Sequence, residues 1–185
     1  MIELNHVCFS YGSIAVLRDF SLRIDAGERF AVHGTSGCGK TTLLRLILGL
    51  EQPQSGTVTV DAERTAVLFQ EDRLLPYLSV ARNCALFAQS PVAPMLQALG
   101  LADAAEALPS ALSGGMARRA ALARALCHDA ALYLFDEPFN GLDEASAARC
   151  AEQINRVTAG KTVLVVTHHD DEAEALGCRR ELRLG

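Results

Sequence analysis

The chain has no C-x-x-C pair. Its six cysteines, Cys8, Cys38, Cys84, Cys127, Cys150 and Cys178, are irregularly spaced, which argues against a disulfide framework or a zinc site. Nor is there a surplus of positive charge. The formal net charge is −5 and the pI about 5.5, so no broad nucleic-acid footprint is expected, although a local basic groove is not excluded. The first residues, MIELNHVCFS, lack the basic and apolar regions of a signal peptide. The longest apolar runs, such as AALYLF at 130–135, are too short to span a bilayer. Repeats, low-complexity tracts and long linkers are absent as well. These absences leave a cytoplasmic α/β domain whose membrane role, if any, comes through partners. Its 185 residues, half of them apolar, are enough to bury about 70% of the unfolded surface without staples.

Strand-like and helix-like segments alternate. FSLRID (20–25) alternates as a half-buried strand does. RFAVHG (29–34) is a short strand running into a glycine loop, and KTTLLRLILGL (40–50) is an apolar helix stopped at Gly49 and Pro53. GTVTV (56–60) and TAVLF (65–69) are further strands. Residues 79 to about 107 are helical and alanine-rich, broken by SPVAP (90–94). The glycine pair at 114–115 opens another helix, and ALYLF (131–135) and TVLVV (162–166) are continuous apolar runs suited to buried parallel strands. Residues 143–157 and DDEAEAL (170–176) read as helices, and RRELRL (179–184) as a last strand. Such alternation predicts a parallel sheet covered on both faces. A helical insertion at about 71–128 interrupts it.

Gly34-Thr35-Ser36-Gly37-Cys38-Gly39-Lys40-Thr41 fits G-x-x-x-x-G-K-[ST] between a strand and a helix. Glycines let the backbone curl so that its N–H groups point at phosphate. Lys40 supplies a point charge, and the Thr41 hydroxyl can ligate Mg²⁺. LYLFDEP (132–138) ends a buried strand in Asp136, placing a carboxylate at the sheet edge where α/β ligands sit. The adjacent Glu137 can accept a proton from water. A second phosphate-suited helix start lies at LSGGM (112–116), where Ser113, Gly114 and Gly115 precede a run without breakers. One small chain thus has two such helix starts.

With these elements in this order, the sequence resembles the ATP-binding cassette (ABC) ATPases over nearly its whole length. LSGGM is similar to the family's signature motif, with Met116 in place of the usual glutamine. Gln70 matches the glutamine loop, NGLD (140–143) the D-loop, His168 the switch histidine, and Tyr11 the aromatic that stacks on adenine. The resemblance implies a P-loop NTPase with a RecA-like core, an N-terminal antiparallel β subdomain and an inserted helical subdomain, all in one domain spanning 1–185. It implies two cassettes packed head to tail in an ATP-dependent manner. The P-loop of one and the signature helix of the other would share each nucleotide, which accounts for the second helix start. Gly34, Ser36, Gly37, Cys38, Gly39, Lys40, Thr41 and Thr42 would hold ATP with Tyr11, and Ser113, Gly114 and Gly115 would meet it across the interface. Thr41, Gln70 and Asp136 would hold Mg²⁺, and Glu137 would be the base. Gln70 and His168 would assist catalysis, His168 at the γ-phosphate. Asp143 would carry contacts across the dimer.

The implied activity is ATP hydrolysis powering import through a separate transmembrane permease, with a solute-binding protein acting indirectly. The location would be the inner face of the cell membrane. FQEDRLLPYLSV (69–80) is most similar to cassettes of importers for nitrate, sulfonate, taurine and thiamine precursors. Rival readings are a non-transport ABC ATPase, a regulatory nucleotide-binding subunit of low turnover and, more distantly, a P-loop kinase. Only 73 residues separate Lys40 from Ser113, which leaves no room for the long coiled coil of DNA-structural relatives. LLPYL (74–78) reads either as core or as a groove for a permease helix. HHDD (168–171) is not expected to bind metal, and Cys38 need not be catalytic. His6, His33 and His128 read as structural or solvated. Arg118, Arg119 and Arg124 read as a solvated helix face or, alternatively, as ion pairs across subdomains.

Overall fold

The computed structural model describes residues 1–35 and 37–185, so the expectation for Ser36 lies outside the described residues. In chain order the elements are β1 (Ile2–Tyr11), β2 (Ile14–Ile24), β3 (Arg29–Gly34), α1 (Lys40–Ile47), β4 (Ser55–Val60) and β5 (Thr65–Leu68). Then come α2 (Val80–Ala85), α3 (Val92–Ala98), α4 (Gly114–Cys127), β6 (Leu132–Asp136) and α5 (Glu144–Val157). The chain closes with β7 (Thr162–Thr167), α6 (Asp170–Ala175) and β8 (Arg180–Leu184). Short 3₁₀ turns at Ala102–Ala104 and Pro109–Ala111 lead into α4.

A five-stranded parallel sheet runs β5-β6-β7-β3-β8, and a three-stranded antiparallel sheet runs β2-β1-β4. The parallel sheet separates two cores, and side-chain alternation decides which residue joins which. Leu132 and Leu134 of β6, with Leu164 and Val166 of β7, pack against α1 and the antiparallel sheet. Tyr133, Phe135, Val163 and Val165 point the other way, into a core shared with α2 to α5. Both faces are covered, which is why these strands are apolar without interruption.

β1 was not visible as a strand in the sequence, and β2 begins six residues earlier than FSLRID. The cause is a bulged pairing. The β1–β2 register slips between Leu4 and Val7, and His6 and Asp19 take φ values of +50° and +48°. The alternating pattern is therefore interrupted. Gly56 faces this bulge, where a Cβ would collide with the carbonyls of Asn5 and His6.

α1 ends at Ile47, and Gly49, the expected stop, turns the chain out at φ +67°. The stretch from 79 to 107 is two short helices and a turn. Pro94 lies in the first turn of α3 rather than in the break, since a first-turn residue needs no N–H donor.

Candidate functional site

The glycine loop joins β3 to α1. Gly37 at φ +83° and Gly39 at φ +106°, the latter the N-cap of α1, occupy a region that side-chain-bearing residues avoid. A Cβ on Gly39 would lie 2.7 Å from Val16 Cγ1. Among the described residues, no acidic side chain occupies the first turn of α1 and no side chain caps it, so its N-terminal dipole is left for an anion. Lys40 is buried and donates to the carbonyls of Gly34 and Thr35 at 2.6 and 2.9 Å, holding its charge inside the loop.

A cleft of about 300 Å³ opens over this loop. Tyr11, Gly37, Gly39, Lys40, Thr41, Thr42, Gln70, Asp136 and Glu137 all line it, so four separate segments converge there. Ile14 and Val16 add an apolar wall beside Tyr11. The Tyr11 ring packs edge-to-face on Phe9 at 4.9 Å and remains 43% exposed, which leaves a face for a planar base.

Thr41 Oγ1 donates to Asp136 Oδ2 at 3.4 Å. Asp136 is 2% exposed, and its carboxyl is pushed up to about 6, first by burial and then by the neighbouring Glu137 charge. A buried carboxylate beside a second one is costly until a cation arrives. The oxygens of Thr41, Gln70 and Asp136 are the hard donors that Mg²⁺ takes, so these residues fit the ion.

Glu137 follows β6 in a left-handed conformation, φ +49°. Its N–H donates to the Val166 carbonyl at 2.8 Å. Its carboxylate Oε1 lies 3.1 Å from Nδ1 of His168, which follows β7 and is half-exposed. Parallel pairing of β6 with β7 thus brings the two residues together. Pro138, buried directly after Glu137, disfavours the right-handed helical region for that residue.

Ser113 is the N-cap of α4, its Oγ accepting from the Met116 N–H at 3.3 Å. Ser113 and Gly114 are exposed. A Cβ on Gly114 would meet nothing within 4 Å, so this chain's own packing gives no reason for glycine there. None of Ser113, Gly114 and Gly115 lines the P-loop cleft. Asp143 caps α5 instead of facing the cleft. It accepts from the Ser146 N–H at 2.8 Å and the Ser146 hydroxyl at 2.9 Å, and these bonds hold its carboxyl below the usual range. Cys38 lies within the loop, its Sγ beside the Gly34 backbone.

The three arginines of α4 are not a solvated face. Arg118 is 3% exposed and donates to the Phe69, Gln70, Asp136 and Glu137 carbonyls and to the Asp72 carboxylate. Arg119 reaches the Leu99 and Gly100 carbonyls, and Arg124 those of Asp72 and Arg73. Three arginines within seven residues look solvated in one dimension. Apart from the Asp72 carboxylate, the partners of Arg118 are carbonyls from distant segments, which leave no mark in sequence. His33 is likewise buried, with its ring nitrogens 3.3 and 3.4 Å from the Asp170 and Glu181 carboxylates. LLPYL is not core. Leu75 and Tyr77 are 47% and 91% exposed, and the segment is pinned from beneath by the Asn83 amide, bonded to Leu75 and Leu78.

A family model described as ABC transporter matches residues 17–140. The chain belongs to the ABC transporter family. It is an ATPase cassette of that family, with the α/β architecture of its P-loop NTPases. Among curated relatives, the aliphatic sulfonates import ATP-binding protein SsuB 2 of Pseudomonas fluorescens is 44% identical over 183 residues, covering 92% of this chain and 68% of the relative. The corresponding SsuB 1 of Xanthomonas axonopodis pv. citri is 40% identical, covering 91% of this chain and 75% of the relative. A solved dimeric cassette in a post-hydrolysis state, bound to ADP and Pi, superimposes with a TM-score of 0.84 at 29% identity, covering 100% of this chain and 94% of that one. An ATP-binding subunit of an ABC transporter gives 0.89 at 26% identity, covering 100% and 85%. Among the described residues, no helix is long and apolar enough to cross a membrane.

Proposed function

We propose that this cassette hydrolyses ATP to drive import of an aliphatic sulfonate through a separate permease, at the inner face of the membrane. The convergence of Lys40, Thr41, Gln70, Asp136 and Glu137 on one cleft is the observation that carries the ATPase site. The sulfonate assignment follows the names of the relatives. The exposed, pinned LLPYL segment, in a helical subdomain spanning about 71–128, is the candidate permease contact. A solute-binding protein would deliver the solute outside.

In this reading the loop N–H groups and Lys40 bind the phosphates, and the adenine lies on Tyr11. Mg²⁺, held by Thr41, Gln70 and Asp136, would screen phosphate charge. Glu137 accepts the proton of the attacking water, while His168 orients the Glu137 carboxylate and, once ATP is bound, contacts the γ-phosphate. Ser113, Gly114 and Gly115 of a second copy close the site across a head-to-tail dimer, with Asp143 at the junction. An isologous dimer then holds two complete sites.

A mixed dimer tests the shared site. Lys40→Ala disables one half-site, and Ser113→Arg the other. A tagged heterodimer of the two variants, assembled with the permease, has one doubly damaged site and one intact site, and traps one ATP. No trapping in a folded heterodimer, with normal trapping in the wild type, overturns the head-to-tail reading. Uptake of a labelled alkanesulfonate by the reconstituted transporter tests the solute.

A further inference from the structure

We infer that Arg118 is a positioning residue for hydrolysis, fastening the glutamine loop and the main chain of the Asp136–Glu137 pair to the helix that starts at Ser113. The inference rests on Glu137 acting as the base.

The guanidinium joins three segments far apart in sequence. Nη1 donates to Phe69 O at 2.6 Å, Gln70 O at 3.2 Å and Asp72 Oδ1 at 3.1 Å. Nη2 donates to the carbonyls of Asp136 and, at 2.6 Å, Glu137. Glu137 O also accepts from the Asn140 N–H at 3.1 Å, so two donors fix the peptide that follows the base. That peptide needs fixing, since Glu137 holds φ +49°, where side-chain-bearing residues are rare. A planar fork can hold carbonyls on two sides at once, which a lysine ammonium cannot do in the same geometry. Arg118 lies five residues after Ser113 on a 14-residue helix. Any displacement of α4 at its Ser113 end is therefore passed to Gln70 and Glu137 together, through one side chain.

Arg118→Lys keeps the charge and loses the fork, while Arg118→Gln loses both. Arg124→Gln is the control, because among the described residues Arg124 hydrogen-bonds the Asp72 and Arg73 carbonyls and neither Gln70 nor Glu137. The full chain is assayed for ATPase kinetics, thermal unfolding and amide hydrogen exchange. Arg118→Lys is expected to lower kcat about tenfold or more, the scale of a misplaced catalytic group, with KM for ATP within about twofold. The amides of Glu137 and Asn140 should exchange about tenfold faster, while those of Leu43 and Thr158, bonded to Gly39 O and Ile154 O, keep their rates. Arg124→Gln should keep kcat within about twofold of wild type.

Wild-type kcat in Arg118→Lys overturns the inference, and so do unchanged exchange rates at Glu137 and Asn140. Loss of cooperative unfolding in Arg118→Lys also overturns it, because the role is then structural only. Arg118→Gln is read only if it folds, and Arg118→Lys decides otherwise. Glu137→Gln is run alongside. Wild-type turnover there removes the base assignment, and the exchange rates still decide the part assigned to Arg118.

Discussion

Glu137 Oε1 and His168 Nδ1 lie 3.1 Å apart, across the carboxyl ends of two neighbouring parallel strands. The glutamate backbone is left-handed and bonded to Val166 O, so the carboxylate has little freedom except at its own torsions. Glu137→Gln keeps the volume and removes basicity. Turnover should fall about 10²-fold or more, while ATP still binds and a closed dimer accumulates. Near-wild-type hydrolysis in steady-state assays would rule out the base assignment.

Tyr11 offers an exposed ring braced by Phe9. Tyr11→Ala should weaken ATP binding by about 1–3 kcal/mol, the range for stacking on a base. Its hydroxyl makes only a 3.4 Å contact to Glu51, so Tyr11→Phe should be nearly silent in calorimetric titration. Equal losses in both variants would assign the effect to the hydroxyl.

Burial makes Asp136 a liability in the metal-free protein. Its folded-state value of about 6 lies above the ordinary 3.8, so ionisation destabilises the fold. The penalty is absent below about pH 4 and fully present once pH has risen through about 6. Asp136→Asn should raise stability at pH 8 in chelator by about 1–3 kcal/mol, with each kcal/mol moving Tm by about 2–4 °C. The gain should vanish toward pH 4, and hydrolysis should be lost. A lower Tm for the variant at pH 8 would refute the burial argument.

Two glycines should separate folding from assembly. Gly39→Ala introduces a Cβ at φ +106°, 2.7 Å from Val16 Cγ1, and should cost about 1–3 kcal/mol. Gly114→Ala meets nothing within 4 Å and should be neutral or stabilising by up to about 1 kcal/mol. ATPase activity should nevertheless fall on the order of 10²-fold, as a misplaced phosphate contact would cause. Full activity in Gly114→Ala would argue against a close backbone approach from the second copy.

The parallel sheet was legible in the sequence because its central strands β6 and β7 are nearly unbroken apolar runs and its ligand-facing ends carry punctuation. Gly34 ends β3, and Asp136 ends β6. The α4 start was legible because Ser113 is a strong N-cap residue. β1 was not, because the bulge at His6 breaks the alternation that marks a strand. Arg118 was missed for a different reason. Side-chain type predicts charge, but apart from the Asp72 carboxylate its acceptors are main-chain oxygens that every residue carries. The burial of His33 between Asp170 and Glu181 depends on β8 lying beside β3, which no local pattern encodes.

The division of β6 between two cores has a consequence for how such chains can vary. Leu132 and Leu134 face one core, Tyr133 and Phe135 the other, and Asp136 is the next residue on the first face. Deleting or inserting one residue within β6 would exchange the faces and turn the carboxylate away from Thr41. The strand therefore behaves like a reading frame, in which substitutions of similar volume are tolerated and length changes are not. Length variation among descendants of this sequence should collect between α2 and α3, at 86–91, where no strand counts the residues.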